Sequence, residues 1–569
     1  MKSLRILISE ELKKILKEEV PLTLIKDIPQ EIEGDYSLPV FPIAKKKGKN
    51  PKEFAAEVTS EINKKKIPFF EKAEAKDGFV NFFLNPMFLA ESVFKEIQTC
   101  QVCYGSGAAR KPKIIVEHTS ANPNAPLHVG HLRNSIIGDS TARILRFAGY
   151  DVEVQFYAND MGGQLALLAL YLTGFDYKKE LAASKTKPDF WLGDQYTKAN
   201  KKDNAFKEKA KAVQVDYENG DKDLKKIFDF IVETSLNGFK ETFADYDIKV
   251  DKFPRESQFV FDGGVKKLLK ELEKTKFWIK KNDVYCLDLE KYNIEKELVL
   301  MRSDGTSLYT TRDLAYHMWK LKSGDCVNVI ANEQTLPQMQ LRAALDILGI
   351  KNVDQRVRHL SYELVHIPGM KMSSREGRFV SADDALSEGV KRARKEIEER
   401  KLNLPEKEKE KISKAIGSGA IKYNILKVAP LKLINFRWDE ALNFEGDSAP
   451  YLQYSHARAC RILEKTDGIP EAKQVDFSKV DFSTEERELL KLLVEFPDSV
   501  EAAARDLKPN IIANYLYSLA EAFNRFYFKC PVLESKGVQR ESRILIVSSA
   551  KQVLANGLGL LGIEALERM

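Results

Sequence analysis

Between Lys113 and Tyr157 the chain spells out a complete βαβ unit, and only a sheet covered by helices can house one. Lys113-Ile114-Ile115-Val116 is a short β-branched run of the kind that fills a parallel strand buried on both faces. Leu132, Ile136, Ile137, Ile144, Leu145 and Ala148 then recur at helical spacing until Gly149 ends the helix, and Val152 to Tyr157 reads as the next strand. A helix that opens just past a strand end presents unpaired N–H groups, a natural seat for a phosphate.

The turn into that helix carries the chemistry. Glu117 to Arg133 reads EHTSANPNAPLHVGHLR, which sets His128, Gly130 and His131 at the helix mouth, where imidazoles can hydrogen-bond a phosphate gaining charge. Two other roles are open to the histidines: half of a metal site, although no Asp, Glu or Cys in the same turn completes it, or a cap that packs the helix start. Far downstream, Gly369 to Gly377 is a Gly-flanked loop holding Lys371, Met372, Ser373, Ser374 and Arg375, after a strand-like Tyr362 to Ile367. Such a loop can donate hydrogen bonds and charge to a triphosphate; taken alone, it reads first as a solvated basic turn.

Together, HVGH and KMSS in this order resemble the two signatures of class I aminoacyl-tRNA synthetases. Further blocks narrow the resemblance to the arginyl-tRNA synthetases: Ser120-Ala121-Asn122 with LRNSIIGDSTARIL, then YANDMGGQ at Tyr157 to Gln164, SLYTTRD at Ser307 to Asp313, and VIANEQ at Val329 to Gln334. The match runs from GDYSLPVFPIAKKKGKNP near the start to LGIEALERM at the end. The resemblance implies ATP-dependent activation of L-arginine followed by transfer to tRNA(Arg), with Mg²⁺ carried on ATP and no protein-bound zinc. It also implies that Glu117, Ser120, Asn122, His131, Tyr309, Asp313 and Gln334 hold arginine, that His128, Gly130, His131, Lys371, Met372 and Ser373 bind ATP, and that His128, His131, Lys371, Ser373 and Ser374 act in catalysis. The chemistry is consistent, because a planar cation with five donors needs carboxylates and phenol or amide acceptors. If Leu308 to Lys320 is helical, Tyr309 and Asp313 share a face; read without the family, they are an ordinary helix start.

The chain departs from the family pattern at several positions. Ala121 replaces the usual Pro, Ser374 replaces the second Lys of KMSK, and the Lys that many relatives carry just ahead of HVGH is Ala125 or Pro126 here. Lys371 is therefore the expected phosphate contact, and the role of Arg375 stays open. Other class I synthetases, or a non-catalytic synthetase-like RNA-binding protein, are the competing readings. Retention of both histidines, Lys371, Tyr309 and Asp313 argues against the latter.

At 569 residues three domains are expected. The first is an N-terminal α+β module over 1–110 that contacts tRNA, with helical Leu4 to Leu16 and Phe54 to Ile62, a strand at Gly78 to Leu84 and a linker at Tyr104 to Pro112. A Rossmann-type α/β catalytic domain over 111–400 follows, interrupted by a polar insertion near 175–300 with a lysine-rich helical region at Lys198 to Lys226. An all-α anticodon-binding bundle over 401–569 completes the chain, with Tyr451 to Arg458 resembling its family counterpart and Pro509 at a helix start. The net charge of +6 is too small for a protein governed by bulk electrostatics, so RNA contact must rest on local patches. Candidates are Lys45 to Lys49, Lys64 to Lys66 and Lys391 to Lys395, although charge runs are usually solvated faces. Six scattered cysteines, a charged first segment unlike a signal peptide and the lack of a long apolar run predict a reduced cytoplasmic protein without a membrane span; a monomer is expected.

Overall fold

The computed structural model describes residues 3–28, 32–281, 283–302, 307–366, 380–400 and 405–569. The N-terminal module is an antiparallel sheet in the order β1-β2-β4-β3, formed by β1 (Lys26–Asp27), β2 (Tyr36–Pro39), β3 (Phe70–Lys76) and β4 (Phe79–Leu84). Val80, Phe82 and Leu84 alternate into its core, and the helices Leu4–Leu16 and Pro51–Lys65 form where apolar spacing predicts them. The helix Pro86–Cys100 then packs on the helix Thr484–Asp506 of the C-terminal bundle. Tyr104, expected in a linker, is instead buried, and its hydroxyl donates to the Leu493 carbonyl at 2.8 Å.

The catalytic sheet begins with β5 (Arg110–Glu117) and β6 (Tyr150–Gln155), joined by the helix Val129–Phe147. An insertion follows, built of the helices Tyr177–Ala183, Pro188–Asn200, Asn204–Glu218 and Lys222–Asp245. An antiparallel sheet of β7 (Trp278–Lys281), β8 (Val284–Leu287) and β9 (Leu298–Met301) comes next. The chain then returns to the parallel sheet with β10 (Asp325–Ala331) and β11 (Val357–Tyr362), giving the order β11-β10-β5-β6. From β5 the chain steps one way to β6 and later the other way to β10. The crevice beyond the carboxyl ends of β5 and β10 is therefore the switch point where parallel sheets bind ligands.

Two local expectations change. Tyr362 to Ile367 is not one strand: β11 ends at Tyr362, and β12 (Val365–His366) leaves to pair with β13 (Ile434–Asn435). The diversion is held by Glu363 N–H to Pro430 O at 2.9 Å and by Arg133 Nη1 to Leu364 O at 2.7 Å. The helix Val129–Phe147, read as having one apolar face, is covered on its polar side as well. Arg133, Asn134, Ser135, Asp139 and Ser140 are all buried, with Ser140 Oγ donating to Leu560 O at 3.0 Å from the end of the bundle.

Candidate active site

The site starts where β5 runs out. Past Glu117, Thr119 and Ser120 both take left-handed backbone (φ 78° and 48°), a conformation costly for a β-branched residue. Cross-links hold it: Thr119 N–H donates to Asn134 Oδ1 at 2.5 Å, and the Thr119 hydroxyl lies 2.8 Å from Ser135 Oγ and from His118 Nδ1. The turn throws Ser120 and Asn122 over the strand end. There Asn159 Nδ2 donates to Asn122 Oδ1 at 3.2 Å, and Asn122 and Asn124 both donate to Gln164 Oε1. The first and second sequence blocks are thus joined side chain to side chain.

A cleft of about 400 Å³ opens at this point. Six of the seven residues expected to hold arginine line it: Glu117, Ser120, Asn122, Tyr309, Asp313 and Gln334. His131 does not. Ser120, Asn122, Tyr309 and Gln334 are exposed and form the rim, whereas Glu117 is buried in the floor. The floor also holds Tyr157, read from the sequence only as the first residue of the second block, and Glu256 and Gln338, which were not read from the sequence.

Three carboxylates meet the cleft, and two of them already have internal cations. Lys320, fully buried, donates to Glu117 Oε2 at 2.5 Å, and Arg312 Nε donates to Glu256 Oε1 at 2.5 Å. Burial still outweighs Arg312 and pushes the Glu256 carboxyl up to about 7. Asp313 stands on the helix Tyr309–Lys320, which forms as its spacing predicts. Beneath it, Lys320 also donates to Asn328 Oδ1 at 3.1 Å, so the Asn328 amide must give its protons to His317 Nε2 and Gln338 Oε1, both at 2.9 Å. This network assigns the His317 proton to Nδ1, where it faces the Asp313 carbonyl at 2.9 Å and the Asp313 carboxylate at 3.1 Å. Burial opposes charge on Asp313, but His317 and Lys320 prevail and hold its carboxyl below the ordinary range. Once Glu256 is ionised, both it and Glu117 are paired and the wall carries one net negative charge, on Asp313.

Beside the cleft, the two histidines cap the helix Val129–Phe147. His128 Nδ1 accepts from the N–H groups of Gly130 (3.1 Å) and His131 (3.3 Å), while His131 Nδ1 accepts from His128 N–H at 3.4 Å. The rings stack with centroids 3.6 Å apart. Burial lowers the pKa of both, His131 well below the ordinary value, and their accepting Nδ1 atoms leave the protons on Nε2. Capping and phosphate contact are compatible here, since the cap is what orients the donors.

Lys371, Met372, Ser373, Ser374 and Arg375 lie outside the described residues. The described flanks of that loop are tied to the same helix: Arg133 holds Leu364 O, Val129 N–H donates to Val380 O at 3.1 Å, and Ala382 N–H donates to Leu127 O at 2.8 Å. Among the described residues, no cluster of three or more His, Cys, Asp or Glu is placed to hold a metal ion, and no helix is long and apolar enough to cross a membrane.

A second concavity, of about 580 Å³, lies on the C-terminal bundle. The Arg458 guanidinium sits 4.8 Å from the Tyr454 ring centroid, 4.7 Å from that of Tyr527 and 5.5 Å from that of Phe528, and Phe528 is 76% exposed. Arg461 donates to the Met569 carbonyl at 3.1 Å.

The family model described as "tRNA synthetases class I (R), catalytic domain" matches residues 95–438, more than half of the chain. The chain belongs to the arginyl-tRNA synthetases. Residues 2–84 match the arginyl tRNA synthetase N-terminal domain, and 452–569 match the DALR anticodon binding domain. A curated relative from Methanocaldococcus jannaschii, named arginine–tRNA ligase, is 40% identical over 99% of this chain and 98% of its own length. One of the same name from Archaeoglobus fulgidus is 40% identical over 93% of this chain and 94% of its own. Among solved structures, the Thermus thermophilus arginyl-tRNA synthetase superposes with a TM-score of 0.83 at 30% identity, covering 100% of both chains. The Plasmodium falciparum arginyl-tRNA synthetase shares the fold, with a TM-score of 0.81 at 22% identity over 99% of each chain. The family's three-part organisation agrees with the α+β module, class I catalytic domain and helical bundle seen here.

Proposed function

We propose that the protein is an arginine–tRNA ligase whose amino-acid site is the cleft at the switch point. The observation that carries this reading is the convergence of Glu117, Ser120, Asn122, Tyr309, Asp313 and Gln334, drawn from three separate sequence blocks, beside a histidine-capped helix mouth. A wall with one net negative charge suits a side chain with one positive charge. The α-carboxylate of arginine then faces the helix mouth and attacks the α-phosphate of ATP in line. The Nε2–H groups of His128 and His131 stabilise charge growing on the phosphates, with Lys371 and the hydroxyls of Ser373 and Ser374 joining from the loop whose flanks are tied to this helix. Pyrophosphate leaves with Mg²⁺, which enters on the phosphate oxygens of ATP. A terminal ribose hydroxyl of tRNA next attacks the adenylate carbonyl and releases AMP, with no covalent enzyme intermediate.

For the tRNA, the exposed rings of Tyr527 and Phe528 around Arg458 offer a stacking platform for unpaired bases. Lys45 to Lys49 and Lys64 to Lys66 lie exposed on the N-terminal module and suit the phosphate backbone. Surface pairing does not rank the patches, since Arg392 and Arg394 are engaged by Glu388, Glu398 and Glu406 and Lys47, Lys49 and Lys64 by Glu18, Glu57 and Glu61. Aminoacylation of total tRNA with each amino acid in turn tests the proposal. Arginine alone is expected to be attached; charging with lysine or glutamate, or none at all, contradicts it.

A further inference from the structure

Tyr157, the first residue of the second sequence block, is a floor residue to which the reading of the blocks gives no role. Its ring lies flat on the buried ring of Tyr316, with centroids 4.2 Å apart and planes 7° from parallel, and makes a tilted contact with Phe259. The residue lines the cleft together with Glu117, Glu256 and Asp313. Only 8% of the residue is exposed, yet its hydroxyl oxygen has no hydrogen-bond partner among the described residues. This is unusual for a buried tyrosine, whose hydroxyl normally finds one. Its neighbour Tyr316 conforms, donating to Gln155 Oε1 at 2.8 Å. Burial first, and then the charges of Glu256, Asp313 and Glu117, raise the Tyr157 pKa well above the ordinary value, so the hydroxyl remains neutral and keeps two lone pairs.

We propose that Tyr157 is a specificity-determining residue of the cleft, its hydroxyl oxygen accepting an N–H of the guanidinium that the carboxylates attract. The proposal rests on the assignment of the cleft to arginine. The carboxylates recognise charge and would attract any cation. A buried neutral acceptor rewards only a side chain whose further donor lies at the correct distance and direction, which the planar fork of a guanidinium supplies and the three donors clustered on one ammonium nitrogen do not. Tyr157 thus separates arginine from lysine by geometry rather than by charge.

The test is Tyr157→Phe, which removes one oxygen and keeps the stacked ring. Arginine-dependent and lysine-dependent ATP–pyrophosphate exchange would be measured in the presence of tRNA, alongside thermal melting of the ligand-free protein. Loss of a hydrogen bond to a charged donor is expected to raise KM for arginine on the order of tenfold or more and leave KM for ATP in place. Any lysine-dependent exchange should not fall. The ligand-free variant should melt no lower than the parent, because the oxygen removed bonds to nothing in the described structure. An unchanged KM for arginine, or a lower melting temperature accompanied by equal losses for arginine and ATP, overturns the proposal. The parent protein run in parallel keeps the two readings apart: no arginine-dependent exchange there sinks the assignment of the cleft itself, whereas normal exchange with an indifferent variant sinks only the role of Tyr157.

Discussion

The cleft beyond β5 and β10 and the concavity on the C-terminal bundle treat charge in opposite ways. In the cleft, Glu117 and Glu256 are buried and each is answered by an internal cation, Lys320 or Arg312, so the wall is left with one net charge. On the bundle, Arg458 is surrounded by aromatic rings, and Phe528 stands 76% exposed. A pre-compensated, half-buried wall discriminates among small molecules by unpaired charge and weakly feels salt. An exposed array of rings and cations accepts a large polyanion by stacking and counterion release, and feels salt strongly. One chain thus carries a selective site and an adhesive one.

The sharpest way to break this contrast is Asp313→Asn. If the single uncompensated charge selects the substrate, arginine-dependent exchange should fall on the order of a hundredfold or more, with KM for ATP little changed. Equal activity for the variant would mean that the charge lies elsewhere. Lys320→Met comes next, because it strands Glu117 in the floor. Urea unfolding should show a loss of about 3–5 kcal/mol, and adding Glu117→Gln to the same chain should recover much of it. A double variant no better than the single would show that the pair is not what matters.

On the bundle, Phe528→Ala should cost about 1–3 kcal/mol of tRNA affinity and leave tRNA-independent binding of arginine and ATP intact, measured by titration with labelled tRNA. The smallest effect concerns pH. The Glu256 carboxyl, near 7 in the free protein, must ionise fully to meet a cation, so KM for arginine should fall by about tenfold from pH 6 to pH 8 and then level off. A flat profile would place the cation away from Glu256.

Periodic patterns were legible in the sequence. The strand Ile114 to Val116 follows from an unbroken β-branched run, and the helix from Val129, the helix Tyr309–Lys320 and the bundle helices from an apolar face repeating at helical spacing. The rim residues were legible only through the family blocks, since Ser120, Asn122 and Gln334 have no periodic signature. Of the floor, Glu117 was legible through the first block, but Glu256 and Gln338 were not. Glu256 lies within the stretch read as a polar insertion and belongs to no motif, and nothing in one dimension shows that it will meet Arg312. The helix Tyr309–Lys320 did carry a signal: Arg312, Asp313, His317 and Lys320 are too many ionisable groups for a helix otherwise facing a core, and such groups are buried only in pairs. The strand predicted through Ile367 failed because a strand ends where better partners appear, and those partners, Arg133 and Pro430, are distant in sequence.

The most direct test of the central claim is a crystal structure with arginine and a non-hydrolysable ATP analogue bound. The guanidinium should lie in the cleft against Asp313 and the floor, with the α-carboxylate turned toward the His128 and His131 end and the phosphates at the mouth of the helix Val129–Phe147. Arginine found with its side chain outside that cleft, or phosphates placed away from the histidine cap, would contradict the account.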